Sequence, residues 1–149
     1  LLTEISTEMD AWLRQQQQTL HIDIAHVLFL EGDEQLIRRV LRNLISNAIK
    51  HTAANTIITV KAYVLESEPD YCQIEVQDNG PGIPAHIRDT LFERFGRVNS
   101  ESPPVQQNTG LGLFFCQLAI EAHGGDIGVQ SEEGQGSTFW MKLPHAHKK

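Results

Sequence analysis

The chain has 149 residues, long enough for one domain with a sizeable core, and 40% are hydrophobic against 21% charged, the balance of a soluble globular protein. A formal net charge of −7 argues against broad electrostatic attraction to nucleic acid or acidic lipid. No apolar run approaches the length of a membrane span, and Leu1-Leu2-Thr3-Glu4 lacks the charged and apolar regions of a signal peptide.

In chain order, residues 3–18 read as a helix, and the abrupt start ahead of them reads as a cut from a larger protein. Short strands are expected at His21–Ala25 and Val27–Leu30. Gly32-Asp33 then opens a second helix, with Asp33 as N-cap, running to about Lys50. Its apolar stripe is Ile37, Val40, Leu41, Leu44, Ile45 and Ala48. Thr56–Leu65 and Tyr71–Gln77 alternate as paired strands across the turn-forming Glu66-Ser67-Glu68-Pro69-Asp70. One or two helical turns are expected in 84–93. Residues 97–109 are polar and aperiodic, a loop of the length often used as a lid. A third helix follows, with the stripe Leu111, Phe114, Phe115, Leu118, Ala119 and Ala122, ended by Gly124-Gly125. Asp126–Gln130 and Ser137–Leu143 close as a hairpin. The sum is a two-layer α/β (α+β) sandwich of about three helices and a mixed sheet. Cys72 and Cys116 lie within apolar patterns, as small buried thiols do in a reducing compartment. The seven histidines are scattered, without the spacing of a structural metal site.

Four segments carry chemistry. In the second helix Asn43, Asn47 and Lys50 fall within roughly 60° of one another beside the apolar stripe. Asparagine is a mediocre helix former. On this helix alone, two solvated flank residues are the plainer reading. A magnesium ion gives a second reading, with Asn47 and Asn43 offering amide oxygens and Lys50 neutralising phosphate. In Gln77-Asp78-Asn79-Gly80-Pro81-Gly82-Ile83, strict alternation from Cys72, Ile74 and Val76 puts Asp78 on the buried face. A carboxylate there needs a donor, and the exocyclic amine of adenine is one. Gly80 and Gly82 permit close backbone approach, and Ile83 can cover the base. Taken alone, Asp-Asn-Gly-Pro is as readily an ordinary turn.

Thr109-Gly110-Leu111-Gly112-Leu113 opens the third helix, where free N–H groups form either a phosphate cradle or a simple cap. It is not a P-loop, since no Gly-Lys-Ser/Thr follows, nor a Rossmann fingerprint, since no strand directly precedes it. Phe92 and Phe95 serve equally as core residues or as anchors of the lid, with Arg97 reaching a terminal phosphate. Thr138, after Gly136-Ser137, is either a plain strand threonine or a hydrogen-bonding partner beside Asp78.

Together these segments resemble the ATP-binding catalytic domain of sensor histidine kinases, within the GHKL (Bergerat-fold) ATPases. Leu36–Thr52 is similar to the family's N box. Asp78–Ile83, Thr109–Leu113 and Gly136–Phe139 are similar to its three glycine boxes, and Leu91–Val98 to its F box. The likeness runs from about residue 20 nearly to the end. It implies a roughly five-stranded mixed sheet against three helices. One unit would span 1–149, with 1–19 on the N-terminal helix or linker side and an ATP lid at 97–109. It also implies ATP and Mg2+ as ligands. Asn47 would hold the metal with Asn43 assisting, Lys50 and Arg97 would meet phosphate, and His51 would stand beside the adenine. The backbones of Gly110, Leu111 and Gly112 would hold phosphates. His51 stands where tyrosine is commoner, and Gly96 where an aromatic is frequent.

The expected activity is donation of the γ-phosphoryl group of Mg-ATP to a histidine on a separate dimerising phosphoacceptor domain, with a response regulator downstream. None of the seven histidines has the setting of that acceptor. The implied whole is a cytoplasmic, homodimeric kinase or the cytoplasmic part of a membrane-bound sensor, and the domain alone is monomeric, without nucleic-acid or direct membrane binding. Two rivals are an ATP-hydrolysing clamp and a nucleotide-binding module without catalysis. The clamp is disfavoured because Asn43 occupies the place of its water-activating glutamate and cannot act as a base.

Overall fold

A computed structural model of the chain describes residues 1–93 and 111–146. Helix α1 spans Leu2–Gln15, strand β1 Thr19–Asp23 and helix α2 Glu34–Lys50. Strands β2 (Ile57–Val64) and β3 (Tyr71–Asp78) follow, then a single helical turn, α3 (Ala85–Arg88). Helix α4 covers Leu111–Ala122, and β4 (Asp126–Glu132) and β5 (Gly136–Pro144) complete the chain. The sheet order is β1-β2-β3-β5-β4, with β1 parallel to β2 and every other pair antiparallel. The parallel pair requires a crossover, and α2 supplies it. Helices α1, α2 and α4 lie against one face of this mixed five-stranded sheet, giving the expected two-layer α/β sandwich.

Local chemistry explains most boundaries. Asp33 caps α2, its Oδ1 accepting the Leu36 N–H at 3.0 Å. All six stripe residues of α2 are buried, and Leu44 and Val40 are wholly inaccessible. On the sheet, Ile58 and Val60 of β2, Ile74 and Val76 of β3, and Phe139, Met141 and Leu143 of β5 alternate inward to meet them. Gly124 ends α4 as expected, with the Gly125 N–H returning to the Ile120 carbonyl at 3.0 Å.

Three expectations need correction. Val27–Leu30 is not a strand: only an isolated bridge between Leu30 and His145 forms there, and Val27 is 81% exposed. The first strand lies two residues earlier than expected, because its register is set by β2, with Thr19 opposite Ile57. In α4 the buried face is Leu113, Cys116, Ala119 and Ile120, while Leu111 and Leu118 are exposed. Apolar residues surround that helix, so periodicity alone did not select its inner face.

Both cysteines are free and buried. Burial pushes the Cys72 thiol up to about 11 and the Cys116 thiol up to about 12. Among the described residues there is no cluster of metal-ligating side chains. No helix among them is long and apolar enough to cross a membrane.

Candidate functional site

Strand β3 delivers the key acid. Cys72, Ile74 and Val76 point into the core, and the same pleat carries Asp78 to the sheet's end, where it is 8% exposed. Its Oδ1 accepts the Gly80 N–H at 2.9 Å. Desolvation raises the pKa of this carboxyl above the ordinary aspartate value, while the main-chain N–H groups of Gly80 and Ser137 hold it back. A buried carboxylate with only part of its acceptor capacity used is suited to an incoming donor.

The loop after Asp78 is held in place from two sides. The Asn79 side chain accepts the Ile57 N–H at 2.9 Å, tying the loop to β2. Across from it, the Pro81 carbonyl accepts the Gly134 N–H at 2.6 Å, and the Ser131 hydroxyl accepts the Ile83 N–H at 2.8 Å. That hydroxyl donates to the Gly136 carbonyl at 2.9 Å, and Arg88 of α3 donates to the Ser131 carbonyl. Gly82 has φ +76, and a Cβ there would lie 2.1 Å from the Glu132 carbonyl oxygen, so a side chain is excluded.

Opposite the loop, the last turn of α2 and the two residues after it present Asn47, Ala48, His51 and Thr52. With Asp78, Pro81, Gly82, Ile83, Ser137 and Phe139 they line one cavity of about 40 Å³. Asn47, at 8% exposure, is the buried polar residue of this helix. The cavity is the size of a water or two, so it forms the floor of a cleft rather than a whole nucleotide site. A larger cavity of about 890 Å³ lies at the other end, beneath Ile24–Leu30 and against Ala62, Cys72 and Ile74. Its lining is largely apolar, and the acid and amide chemistry is at the smaller one.

The expected residues separate into groups. Asn47, His51, Asp78, Gly82 and Ile83 meet in the cavity, with Gly80 adjoining through its hydrogen bond to Asp78. Asn43 lies one turn away, its amide oxygen beside Gly112 of α4. The N-terminus of α4, with Leu111 exposed and Gly112 half-buried, thus faces the asparagine side of α2, while the Leu113 side chain is buried in the core. Phe92 packs edge-on against Phe139 at 6.3 Å. Phe95, Arg97, Thr109 and Gly110, and the lid expected at 97–109, lie outside the described residues.

Two residues are not where the pattern placed them. Thr138 points to the opposite face of the sheet, paired with Gln77 and Gln130. Its neighbour Ser137 lines the cavity opposite Asp78. The alternation of Phe139, Met141 and Leu143 inward carries that information, since it makes Ser137 the inward residue. Lys50 is exposed at the end of α2 with its ammonium 6.0 Å from the Trp12 ring of α1, outside the cavity lining.

The site thus joins a buried acid at the end of a central strand of a mixed sheet to an asparagine-bearing helix across one shared cavity. Residues 32–147 match the family of histidine kinase-, DNA gyrase B- and HSP90-like ATPases, and the chain belongs to that family. It is 37% identical over 140 residues to the sensor histidine kinase TmoS of Ectopseudomonas mendocina, covering 94% of this chain and 14% of the relative. Over 113 residues it is 44% identical to the adaptive-response sensory kinase SasA of a Synechocystis strain, covering 76% of this chain and 28% of that one. Among solved structures, full-length ShkA in complex with AMPPNP superposes with a TM-score of 0.84 at 26% identity, over 99% of this chain and 30% of ShkA. The chain thus spans under a third of the length of each.

Proposed function

We propose that this chain binds Mg-ATP between the end of α2 and the Asp78–Ile83 loop. It would then present the γ-phosphoryl group to a histidine on a separate phosphoacceptor domain. The observation that carries the reading is the shared cavity of Asp78 and Asn47. One residue offers a buried acceptor for the purine's amine, and the other offers a hard amide oxygen within reach of the attached phosphates. Adenine-nucleotide recognition accords with the AMPPNP complex of ShkA, and transfer to histidine accords with the sensor kinases among the relatives.

The residues fit a magnesium ion at Asn47, with Asn43 one turn behind it. The ion would supply charge neutralisation along the phosphates. In the transfer, the bond between the γ-phosphorus and the bridging oxygen breaks, ADP leaves, and a phosphorus–nitrogen bond forms at the acceptor imidazole. The imidazole's ring proton passes to a base on the acceptor domain. This chain's own share is orientation: Asp78 fixes the base, Ile83 and Phe139 cover it, and the α4 N-terminus faces the phosphate side. Asn43 is packed against α4 and has no basic form, so water activation has no agent at that position. Phosphotransfer is therefore favoured over a hydrolysing clamp.

The intact kinase would be a cytoplasmic-side homodimer passing its phosphoryl group to a response regulator. Calorimetric titration with Mg-ATP, followed by γ-labelled ATP with a phosphoacceptor domain added in trans, tests the reading. Binding with label appearing on the acceptor histidine supports it. Absence of nucleotide binding refutes it, and binding without transfer leaves a nucleotide-sensing module.

A further inference from the structure

One side chain outside the cleft reaches the helix that forms its wall. Gln18 follows the C-terminus of α1 and is 7% exposed. Its amide nitrogen lies 3.1 Å from the Ile49 carbonyl, 3.0 Å from the Thr52 carbonyl, 2.9 Å from the Thr52 hydroxyl and 3.3 Å from the Ala53 carbonyl. A helix C-terminus leaves its last carbonyls without intrahelical partners, and a primary amide brings two hydrogens to such a place. The last turn of α2 is satisfied in sequence: Asn47 O by the His51 N–H, Ala48 O by the Thr52 hydroxyl, and Ile49 O by Gln18. The surroundings dictate the amide's orientation, because the Thr52 hydroxyl already donates to Ala48 and the other three groups only accept. The result leaves Gln18 Oε1 buried with no partner among the described residues. A residue that merely fills space has no reason to carry that cost.

The main chain fastens the same corner. Gln17 (φ 55) and Asn55 (φ 67) are the two non-glycine residues with positive φ among the described residues, and the Asn55 N–H donates to the Gln17 carbonyl at 2.7 Å. The Thr19 N–H donates to the Thr56 carbonyl at 3.1 Å. Uncommon backbone conformations persist where their surroundings hold them, and here two face each other at the junction of the α1–β1 and α2–β2 connections. Thr52 links the junction to the cleft. It lines the cavity with Asp78, and a Cβ added to Gly80 would lie 2.7 Å from its Cγ2.

We propose that Gln18 is a positioning residue for the nucleotide site. By holding the last turn of α2 it sets Thr52 against Gly80, and Gly80 in turn orients the Asp78 carboxylate. The role rests on reading the cleft as an adenine-nucleotide site, and Gln18 acts through Thr52 without touching the nucleotide.

The test uses the 149-residue chain with Gln18→Met, Gln18→Glu and, as a control on the α1–α2 contact, Arg42→Gln, which removes an ion pair with Glu8. Affinities for adenosine and for ATP without magnesium are measured beside thermal melts. Gln18→Met is expected to weaken both ligands by the same factor, roughly tenfold, because the loss falls at the base end. In Gln18→Glu a carboxylate faces four oxygens. Its affinity relative to the parent at equal pH should recover between about pH 8 and about pH 5.5, as the acid gains a proton to donate. Arg42→Gln should change the melt and not the affinities. A folded Gln18→Met variant binding adenosine within about twofold of the parent overturns the proposal. If that variant does not fold, a Gln18→Glu to parent ratio independent of pH overturns it instead. Parent binding with unchanged variants sinks this role alone, whereas a parent that binds neither ligand sinks the site reading and this role with it.

Discussion

Replacing Asp78 by asparagine separates what the site does from what it costs. In the native chain Oδ1 accepts the Gly80 N–H at 2.9 Å and the Ser137 N–H also favours the carboxylate, so an asparagine must keep its carbonyl oxygen toward these donors. Its NH2 group then takes the place of the second carboxylate oxygen. An adenine amine arriving at the substituted side chain would lose a charge-assisted hydrogen bond and meet a donor instead. Losing the first and leaving groups unpaired costs about 2–4 kcal/mol, or roughly 30- to 1,000-fold in affinity. Stability should move the other way. Burial raises the Asp78 pKa, so the folded state favours the neutral acid. The stability contributed by that preference is fully present below the unfolded pKa and is lost as pH rises through the folded one. At neutral pH the carboxylate is a net burden on the apo fold, and Asp78→Asn should melt higher than the parent. The gap should close in acid, below the ordinary aspartate value. Calorimetry for affinity and thermal melts across pH provide both readouts. A variant that binds ATP like the parent, or melts lower at pH 7 while retaining its structure, would refute the reasoning.

Asn47→Ala should remove most of the increment that magnesium adds to ATP affinity and leave the value in chelator within about threefold of the parent, measured by paired titrations. Ser137→Val should weaken adenosine binding roughly tenfold by removing a hydroxyl from the cavity beside Asp78, whereas Thr138→Val, on the other face of the sheet, should leave it unchanged. Both thiols, pushed up to about 11 and about 12 by burial, should resist a thiol reagent until the chain unfolds. Because these pKa values are raised, the stability the neutral thiols contribute is complete below the unfolded value and lost as pH rises through the folded ones. Urea midpoints should therefore fall between about pH 9 and about pH 11.

Much of the fold could be read because one-sided burial imposes a period. The α2 stripe, its Asp33 cap and the alternation that carries Asp78 inward all follow from residues meeting a single core. Where burial is not one-sided the period loses its meaning, as in α4, whose inner face is chosen by α2 and β4 rather than by its own pattern. Val27 and Phe29 alternate with Leu28 and Leu30, yet alternation without a neighbouring strand to pair with makes no strand. At the site, Asp78 was legible because a carboxylate on an apolar face demands a partner, whereas Asn47, read on its helix alone as a solvated flank residue, is buried. Ser137 was legible too, from the inward phase of β5, but the motif drew attention to Thr138 instead. Neither the direction of Lys50 nor the reach of Gln18 could be read. Lys50 depends on Trp12, 38 residues earlier in sequence, and Gln18 is the last of four consecutive glutamines with nothing local to distinguish it.

The base itself is the sharpest probe of the central claim. Replacing ATP by inosine triphosphate exchanges the exocyclic amine for a carbonyl, turns the adjacent N1 from an acceptor into an N–H donor, and leaves sugar, phosphates and metal unchanged. With the buried Asp78 carboxylate as the acceptor, a carbonyl oxygen there is repelled, and the parent chain should bind the inosine nucleotide about a hundredfold or more weaker than ATP in the same buffer. Equal affinity for the two would mean that Asp78 does not read the exocyclic amine, which contradicts the central claim.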